Sequence, residues 1–210
     1  MDKLVRHALT DRLLHWLTAA CVIVLLATAF LPILGVDFAW VTIHWVTGLV
    51  LTVSVAAHIV RALFFKPLGL MWIGRRDLTD GVRVARWSLR LDNRPPPLPG
   101  KFSLAQKAIH LVFSVVVLAT IVTGLLMLVK IDTPWWERDP YWLGEDIWGV
   151  IYVLHDLAAL LLVTMVLLHI YFALRPEKLF FTRSMIVGWI TRAEHSAHHD
   201  GERWQPEPEP

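Results

Sequence analysis

Four long apolar stretches constrain this chain more than any other feature of its sequence. They cover about residues 13–34, 41–65, 104–129 and 147–174, and none contains more than one Asp, Glu, Lys or Arg. A helix needs about 20 residues to cross the hydrocarbon core of a bilayer, and each stretch is long enough. Lipid offers the backbone no hydrogen-bond partners, so such stretches must cross as helices. We therefore predict an all-α integral membrane four-helix bundle within residues 1–190.

The composition agrees with a chain that lies in lipid. Hydrophobic residues make up 56% of the 210 residues, against about 45–50% in soluble globular domains. The net charge of +2 gives no reason to expect a nucleic-acid partner. The single cysteine, Cys21, lies inside the first apolar stretch, which excludes a disulfide framework, cysteine-ligated iron–sulfur clusters and the C-x-x-C-H attachment of c-type haem.

The distribution of basic residues predicts the orientation of the four spans. Residues 1–12 contain three Lys or Arg, residues 66–103 contain eight and residues 175–210 contain five, whereas the other two loops contain only Lys130 and Arg138 among six acidic residues. By the positive-inside rule, both termini and the long second loop face the cytoplasm of a bacterium, with the spans in its cytoplasmic (inner) membrane. Residues 191–210 are polar and end in a Pro-Glu repeat, so we predict a disordered cytoplasmic tail with solvated histidines at 195, 198 and 199.

Six of the ten histidines lie within the spans, where a polar side chain needs a specific reason. They are His15, His44, His58, His110, His155 and His169. The interval from His44 to His58 on the second span is fourteen positions, and the interval from His155 to His169 on the fourth is the same. Over that interval a helix returns to within about 40° of the starting direction and advances about 21 Å. Each pair therefore faces one side of its helix at two depths, as two haem b groups stacked across the bilayer require.

Depth divides these histidines into an outer and an inner layer. The outer layer contains only His44 and His155, which we predict to ligate an outer haem. The inner layer contains four, of which His169 shares a helix face with His155; its partner is His15 or His58, and spacing does not choose between them. Two imidazoles on one iron leave no position for oxygen, which suits electron transfer. Arg61, one turn beyond His58, is placed either to pair with the inner haem propionates or to extend to the lipid headgroups.

Three motifs resemble the cytochrome b (gamma) subunit of membrane-bound formate dehydrogenases, a di-haem family shared with nickel–iron hydrogenase cytochromes b. The resemblance runs from Val5 to about Trp189. The motifs are Val5-Arg6, Asp11-Arg12 and His15-Trp16 near the N-terminus; His44, Gly48 and Arg61 on the second span; and His155, His169 and Tyr171 on the fourth. The resemblance implies that His15 pairs with His169 at the inner haem, while His58 and His110 lie near that haem without ligating it.

The resemblance also implies a quinone site beside the inner haem, at the start of the third span. The matching residues are Ser103, Ala105, Gln106 and Lys107, together with His169. Ser103 and Ala105 stand where the family has Asn and Gly. His110 lies at a suitable depth to relay protons to this site.

As an activity, the resemblance implies an electron-transfer subunit with no substrate-oxidising centre of its own. A molybdenum or tungsten catalytic (alpha) subunit would oxidise formate, and an iron–sulfur (beta) subunit on the outer face would deliver electrons. They would pass from the outer to the inner haem and reduce menaquinone or ubiquinone. The alternatives are the cytochrome b of a nickel–iron hydrogenase or other molybdenum oxidoreductase, a stand-alone cytochrome b561-type quinone reductase, or a haem-free transporter.

Overall fold

The computed structural model describes residues 2–65 and 67–207, so Lys66 of the basic loop and residues 208–210 of the tail lie outside the described residues. Seven α-helices occur in the described part of the chain. They are α1 (Leu9–Phe30), α2 (Trp40–Phe65), α3 (Arg75–Ser88), α4 (Leu104–Met127), α5 (Glu145–Leu174), α6 (Leu179–Val187) and α7 (Arg192–His198). Two short strands, β1 (Lys3–Val5) and β2 (Trp189–Thr191), pair antiparallel with Leu4 opposite Ile190.

Four of these helices are long and apolar enough to cross a membrane, which confirms the predicted all-α membrane fold. They are α1 with 22 residues, α2 with 26, α4 together with its 3₁₀ extension to Lys130 with 27, and α5 with 30. The first begins at Leu9, four residues earlier than predicted, because Thr10, Asp11 and Arg12 continue the helix. It ends at Phe30, since Pro32 follows and disfavours helical backbone at the residue before it.

Contacts divide the chain into two compact units. The span unit comprises Leu13–Ile59 and Phe113–Ile170, which include most of the four long helices and the loops that join α1 to α2 and α4 to α5. Its buried residues include Cys21, Leu51 and Leu162, and the hydroxyls of Thr18 and Ser54 bond at 3.0 Å between α1 and α2. The loop unit comprises Met1–Arg12, Val60–Val112 and Tyr171–Pro210, and it includes both strands, α3, α6 and α7.

A buried arginine–histidine contact lies at the centre of the loop unit. Arg6 and His199 are each only 2% exposed. The His199 Nδ1–H donates to the carbonyl of Gly100 at 2.7 Å, so its Nε2 accepts from the Arg6 guanidinium, also at 2.7 Å. The guanidinium lies 4.6 Å from the ring centre of Phe181. This contact joins the N-terminal strand, the loop before α4 and the C-terminal tail.

The prediction of a disordered tail from residue 191 is wrong for the described residues up to 207. Thr191 and Glu194 form a capping box that starts α7, and the Val5 N–H donates to the Glu207 carbonyl at 2.8 Å. The expectation of a solvated His199 is also wrong, because that side chain is buried against Arg6. Composition suggested disorder, but a local cap and long-range pairing order the segment.

Acidification is expected to loosen the tail, because protonated His199 cannot accept from Arg6. Burial lowers the pKa of His199 from 6.5 to about 4; the Gly100 hydrogen bond opposes this shift and the charge of Arg6 adds to it. The unfolded tail takes up this proton near pH 6.5, so its docking is strongest above that pH and weakens as the pH falls toward 4. Over that interval the undocked population should rise by up to about tenfold per pH unit.

Deuterium exchange over residues 192–207, measured at pH 7.5 and pH 5, would test this expectation. His199→Gln cannot take up a proton and should remove most of the pH dependence. His195→Gln, in the adjoining helix α7, is the matched control and should retain it. Equal pH dependence in the wild type and His199→Gln would contradict the assignment.

Candidate functional site

The structure brings together the two outer-layer histidines, His44 on α2 and His155 on α5. Their ring centres lie 6.3 Å apart, with the ring planes at 68°. Two imidazoles that bind one metal from opposite sides, each with a metal–nitrogen bond of about 2.0 Å, have ring centres roughly 6 Å apart. The separation of His44 and His155 therefore suits axial ligation of a single iron.

A buried threonine holds each outer histidine in one orientation. Thr28 Oγ lies 2.8 Å from His44 Nδ1, and Thr123 Oγ lies 2.8 Å from His155 Nδ1. Each threonine hydroxyl also donates to a backbone carbonyl, from Thr28 to Val24 and from Thr123 to Ala119. With its one hydrogen committed there, each hydroxyl accepts from the imidazole Nδ1–H. The lone pair then lies on Nε2 of each ring, which is the nitrogen free to bind a metal.

Close packing of α4 against α5 depends on a glycine beside His155. A Cβ added at Gly124 would lie 3.3 Å from His155 Cε1, tighter than ordinary van der Waals contact. Gly124 lies inside α4 with ordinary helical backbone, so its small size, and not its backbone freedom, matters at this position. Gly124 therefore leaves room beside α4 for the His155 ring.

The structure also brings His169 on α5 together with His15 on α1. Their ring centres lie 6.3 Å apart at 58°, the same separation as in the outer pair. Phe113 packs edge-on against His169 at 5.9 Å, and Trp16 packs edge-on against His15 at 5.3 Å. These ring contacts favour His15 as the partner of His169. The roles of His58 and His110 stay predictions.

The charged residues of the N-terminal motif have partners within the loop unit. The Arg61 Nε donates to Asp11 Oδ1 at 2.7 Å, and both side chains are 24% exposed. Arg12 donates to the carbonyl of Ile186. Arg61 thus ties the end of α2 to the start of α1, and its predicted contact with a haem propionate stays a prediction.

Three residues predicted for quinone contact take part in the local structure at the start of α4. The Ser103 N–H donates to Gln106 Oε1 at 2.9 Å, and the Gln106 N–H donates to Ser103 Oγ at 3.3 Å, which forms a capping box. Lys107 Nζ donates to both carboxylate oxygens of Asp77 and to the carbonyl of Trp72.

Asp77 is the acidic partner of Lys107. Burial alone would raise its pKa, but hydrogen bonds from the Gly74 N–H and from Lys107, and the charges of Lys107 and Arg203, lower the pKa below its usual value. Asp77 therefore remains ionised beside Lys107. A role of Ser103, Gln106, Lys107, His110 and His169 in quinone binding stays a prediction.

Comparison with known proteins identifies the family of this chain. The family model of prokaryotic cytochrome b561 matches residues 6–188. The chain belongs to this family. One similar protein is the formate dehydrogenase cytochrome b556 subunit of Haemophilus influenzae, which is 24% identical over 96% of this chain and 82% of its own length. Another is the formate dehydrogenase cytochrome b556(fdo) subunit of Escherichia coli K12, which is 26% identical over 97% of this chain and 92% of its own length.

Membership of the cytochrome b561 family implies haem b, and the histidine pairs fit that cofactor. Each pair offers two imidazole nitrogens across a separation that suits one iron. Among the residues that the structure describes, no three His, Cys, Asp or Glu side chains gather at one point, so the pairs differ from the four-ligand sites that hold structural zinc. The two threonines were not predictable from the sequence, because nothing in the local sequence relates Thr28 to His44 or Thr123 to His155.

Replacing Thr123 with valine is expected to weaken haem retention at the outer pair without abolishing ligation. The variant keeps the side-chain shape but removes the Thr123 hydroxyl that accepts from His155 Nδ1–H, and lost orienting contacts of this kind cost about 10- to 100-fold in metal affinity. Haem loss to apomyoglobin, followed by absorbance, would measure the effect. Thr120→Val, one turn earlier on α4 where the hydroxyl bonds to the Val116 carbonyl, is the matched control. Equal rates of loss in the two variants would contradict the role of Thr123.

Proposed function

We propose that this chain is the membrane-anchoring di-haem cytochrome b subunit of a formate dehydrogenase-type complex. The observation that carries the proposal is the repeated histidine geometry. Helix α5 contributes both His155 and His169, on one face of the helix, and each faces a second histidine at 6.3 Å. Relatives that cover almost the whole chain are named as cytochrome subunits of formate dehydrogenase, which supports the choice of complex.

In this proposal His44 and His155 hold the outer haem, and His15 and His169 hold the inner haem. Haem b supplies a one-electron carrier at each position. Two imidazoles on each iron would leave no open site for oxygen. The two histidines of α5 fix the spacing between the pairs at about 21 Å along the helix axis.

Buried apolar residues between the histidines of α5 keep water away from the electron path. Ala158, Leu162 and Met165 are all buried, and their offsets of three, seven and ten positions from His155 put them on its side of the helix. Leu51 lies in a similar position on α2, two turns after His44, and is 2% exposed. A dry, low-dielectric region between the pairs lowers the solvent reorganisation that accompanies electron transfer.

The charge distribution supports a direction of transfer from the outer face to the cytoplasmic face. The basic loop and termini face the cytoplasm, so the acidic, tryptophan-rich loop over residues 131–144 faces outward. A partner iron–sulfur subunit docks there, next to a molybdenum or tungsten catalytic subunit, and electrons leave from the inner haem to a quinone. Ser103, Gln106, Lys107, His110 and His169 are the proposed quinone-site residues, and Arg61 is the proposed partner of the inner haem propionates.

Purification of the tagged chain from native membranes, with identification of its partners, would test this function. The expected complex contains an iron–sulfur subunit and a molybdenum or tungsten subunit, and formate should reduce its haem b. A large nickel subunit would instead assign the chain to a hydrogenase. An active haem protein without partners would identify a stand-alone quinone reductase, and a chain without haem would support a transporter.

A further inference from the structure

Helix α3 has three chemically distinct sides, and one of them is an exposed apolar stripe. Leu78, Val82, Ala85 and Leu89 lie within about 60° of one another around the helix axis. All four are exposed, Leu78 at 53%, Val82 at 59% and Leu89 at 69%. In water this stripe would leave much apolar surface unburied, so its exposure calls for an apolar neighbour.

A second side of α3 fixes the helix against the first turn of a membrane span. Asp77 receives two hydrogen bonds from Lys107, the fourth residue of α4, at 2.9 and 3.0 Å. One turn later, a Cβ at Gly81 would lie 2.3 Å from Leu104 Cδ2, so any larger residue at position 81 would require the Leu104 side chain to move. Because Leu104 and Lys107 begin a membrane-spanning helix, α3 lies at the depth where that span enters the bilayer.

The third side of α3 is strongly basic. Arg75, Arg76, Arg83 and Arg86 lie on an arc of about 100° that begins next to the apolar stripe. Within residues 2–65 and 67–207, none of these four guanidinium groups makes a hydrogen bond or an ion pair with another side chain. Arg75 and Arg86 are closest to the stripe and are therefore placed to meet lipid headgroups when the stripe meets acyl chains.

The segment before α3 adds an aromatic residue of the kind that favours the bilayer interface. The Trp72 carbonyl accepts from Lys107 at 3.0 Å, and the Trp72 side chain is 76% exposed. Tryptophan concentrates at the headgroup level, where its ring meets the acyl boundary and its N–H meets water. Trp72 thus adjoins the first turn of α4.

We propose that α3 is an interfacial helix that binds anionic phospholipid. Leu78, Val82, Ala85 and Leu89 enter the boundary between headgroups and acyl chains, and Arg75 and Arg86 pair with headgroup phosphates. The inference rests on the membrane-spanning fold and on the contacts of the loop unit, and it holds whichever electron donor serves the chain. The interfacial position locks the basic loop to the membrane surface beside the start of α4.

Two valines on opposite sides of α3 provide a matched test in the full chain. Val82 lies in the stripe, and Val84, 44% exposed, lies about 160° away from it. In a Cys21→Ser background, Val82→Cys and Val84→Cys would each carry an environment-sensitive fluorophore, in nanodiscs of phosphatidylcholine and phosphatidylglycerol with brominated acyl chains. We expect several-fold stronger quenching of the label at position 82 than at position 84.

A second set of measurements removes the charges on one side of the contact at a time. The label at position 82 is measured in nanodiscs of brominated phosphatidylcholine alone, and then in the original lipid mixture with the double variant Arg75→Gln/Arg86→Gln. Quenching at position 82 should fall in both cases, and it should fall less with Arg76→Gln/Arg83→Gln, whose arginines lie farther from the stripe. Equal quenching at positions 82 and 84 would overturn the proposal. A label at position 82 shielded from aqueous iodide but not quenched by lipid would also overturn it, because a protein partner would then cover the stripe. Quenching at position 82 that is insensitive to lipid charge would overturn anionic recognition.

Discussion

Replacing His155 with alanine is expected to reduce the haem b content from two groups to one per chain. His155 and His44 face each other at 6.3 Å, and removal of one imidazole leaves the outer iron with a single protein ligand. The variant also removes the partner of the Thr123 hydroxyl. The inner pair, His15 and His169, is unaffected in this account, so its haem should remain. A pyridine haemochrome assay on the purified variant, normalised to protein, measures the change.

The control for this experiment is His195→Ala. That imidazole lies in α7 of the loop unit and bonds to the Trp204 carbonyl, so the variant should retain both haems. Circular dichroism would show whether the helices of each variant are intact. Two haems retained in a folded His155→Ala chain would mean that another residue ligates the outer iron.

The second large effect is expected at the inner pair, where the sequence left two candidates for the partner of His169. His15→Ala should lose the inner haem and with it the reduction of quinone, while the outer haem stays reducible. His58→Ala should keep both haems. The physical reason is the ring contact between His15 and His169, which has the same 6.3 Å separation as the outer pair.

Haem content and quinone reductase activity, measured in the two variants side by side, distinguish the two assignments. Loss of the inner haem in His58→Ala alone would reverse the pairing. Loss in both variants would show that His58 also supports the inner site, for example by packing against the cofactor.

The spans and the histidine pairs were accessible from sequence because both follow from the helix repeat. An apolar run of about 20 residues or longer predicts a span by length alone, and an interval of fourteen positions returns a side chain to nearly the same face of a helix. The confirmed membrane fold rests on that regularity. The ligand roles of His15, His44, His155 and His169 stay predictions, supported by the two 6.3 Å ring separations.

Contacts between distant segments could not be predicted in the same way. The hydroxyls that orient the outer imidazoles lie 16 and 32 residues from their histidines. Arg6 and His199 are separated by 193 residues. The family motif predicts that Lys107 contacts quinone, yet in the structure Lys107 bonds to Asp77 of α3, which lies 30 residues earlier in the sequence. Such pairs depend on how helices pack, and no local periodicity encodes them.

Two capping boxes are encoded in the local sequence. Thr191 and Glu194 have the spacing of a capping box, and so do Ser103 and Gln106. Read as helix starts, these motifs predict α7 in the tail and the first turn of α4. The polar, proline-rich composition of the tail favours disorder despite its capping box, whereas the apolar run from residue 104 predicts the start of α4 correctly.

Electron paramagnetic resonance of the purified, oxidised chain, with haem and protein quantified in the same sample, tests the central claim most directly. Two bis-histidine haems should give two low-spin ferric signals and two haem b groups per chain. Stepwise reduction should remove the two signals at separate potentials. One haem per chain, or a high-spin signal from an iron with an open axial position, would contradict the account.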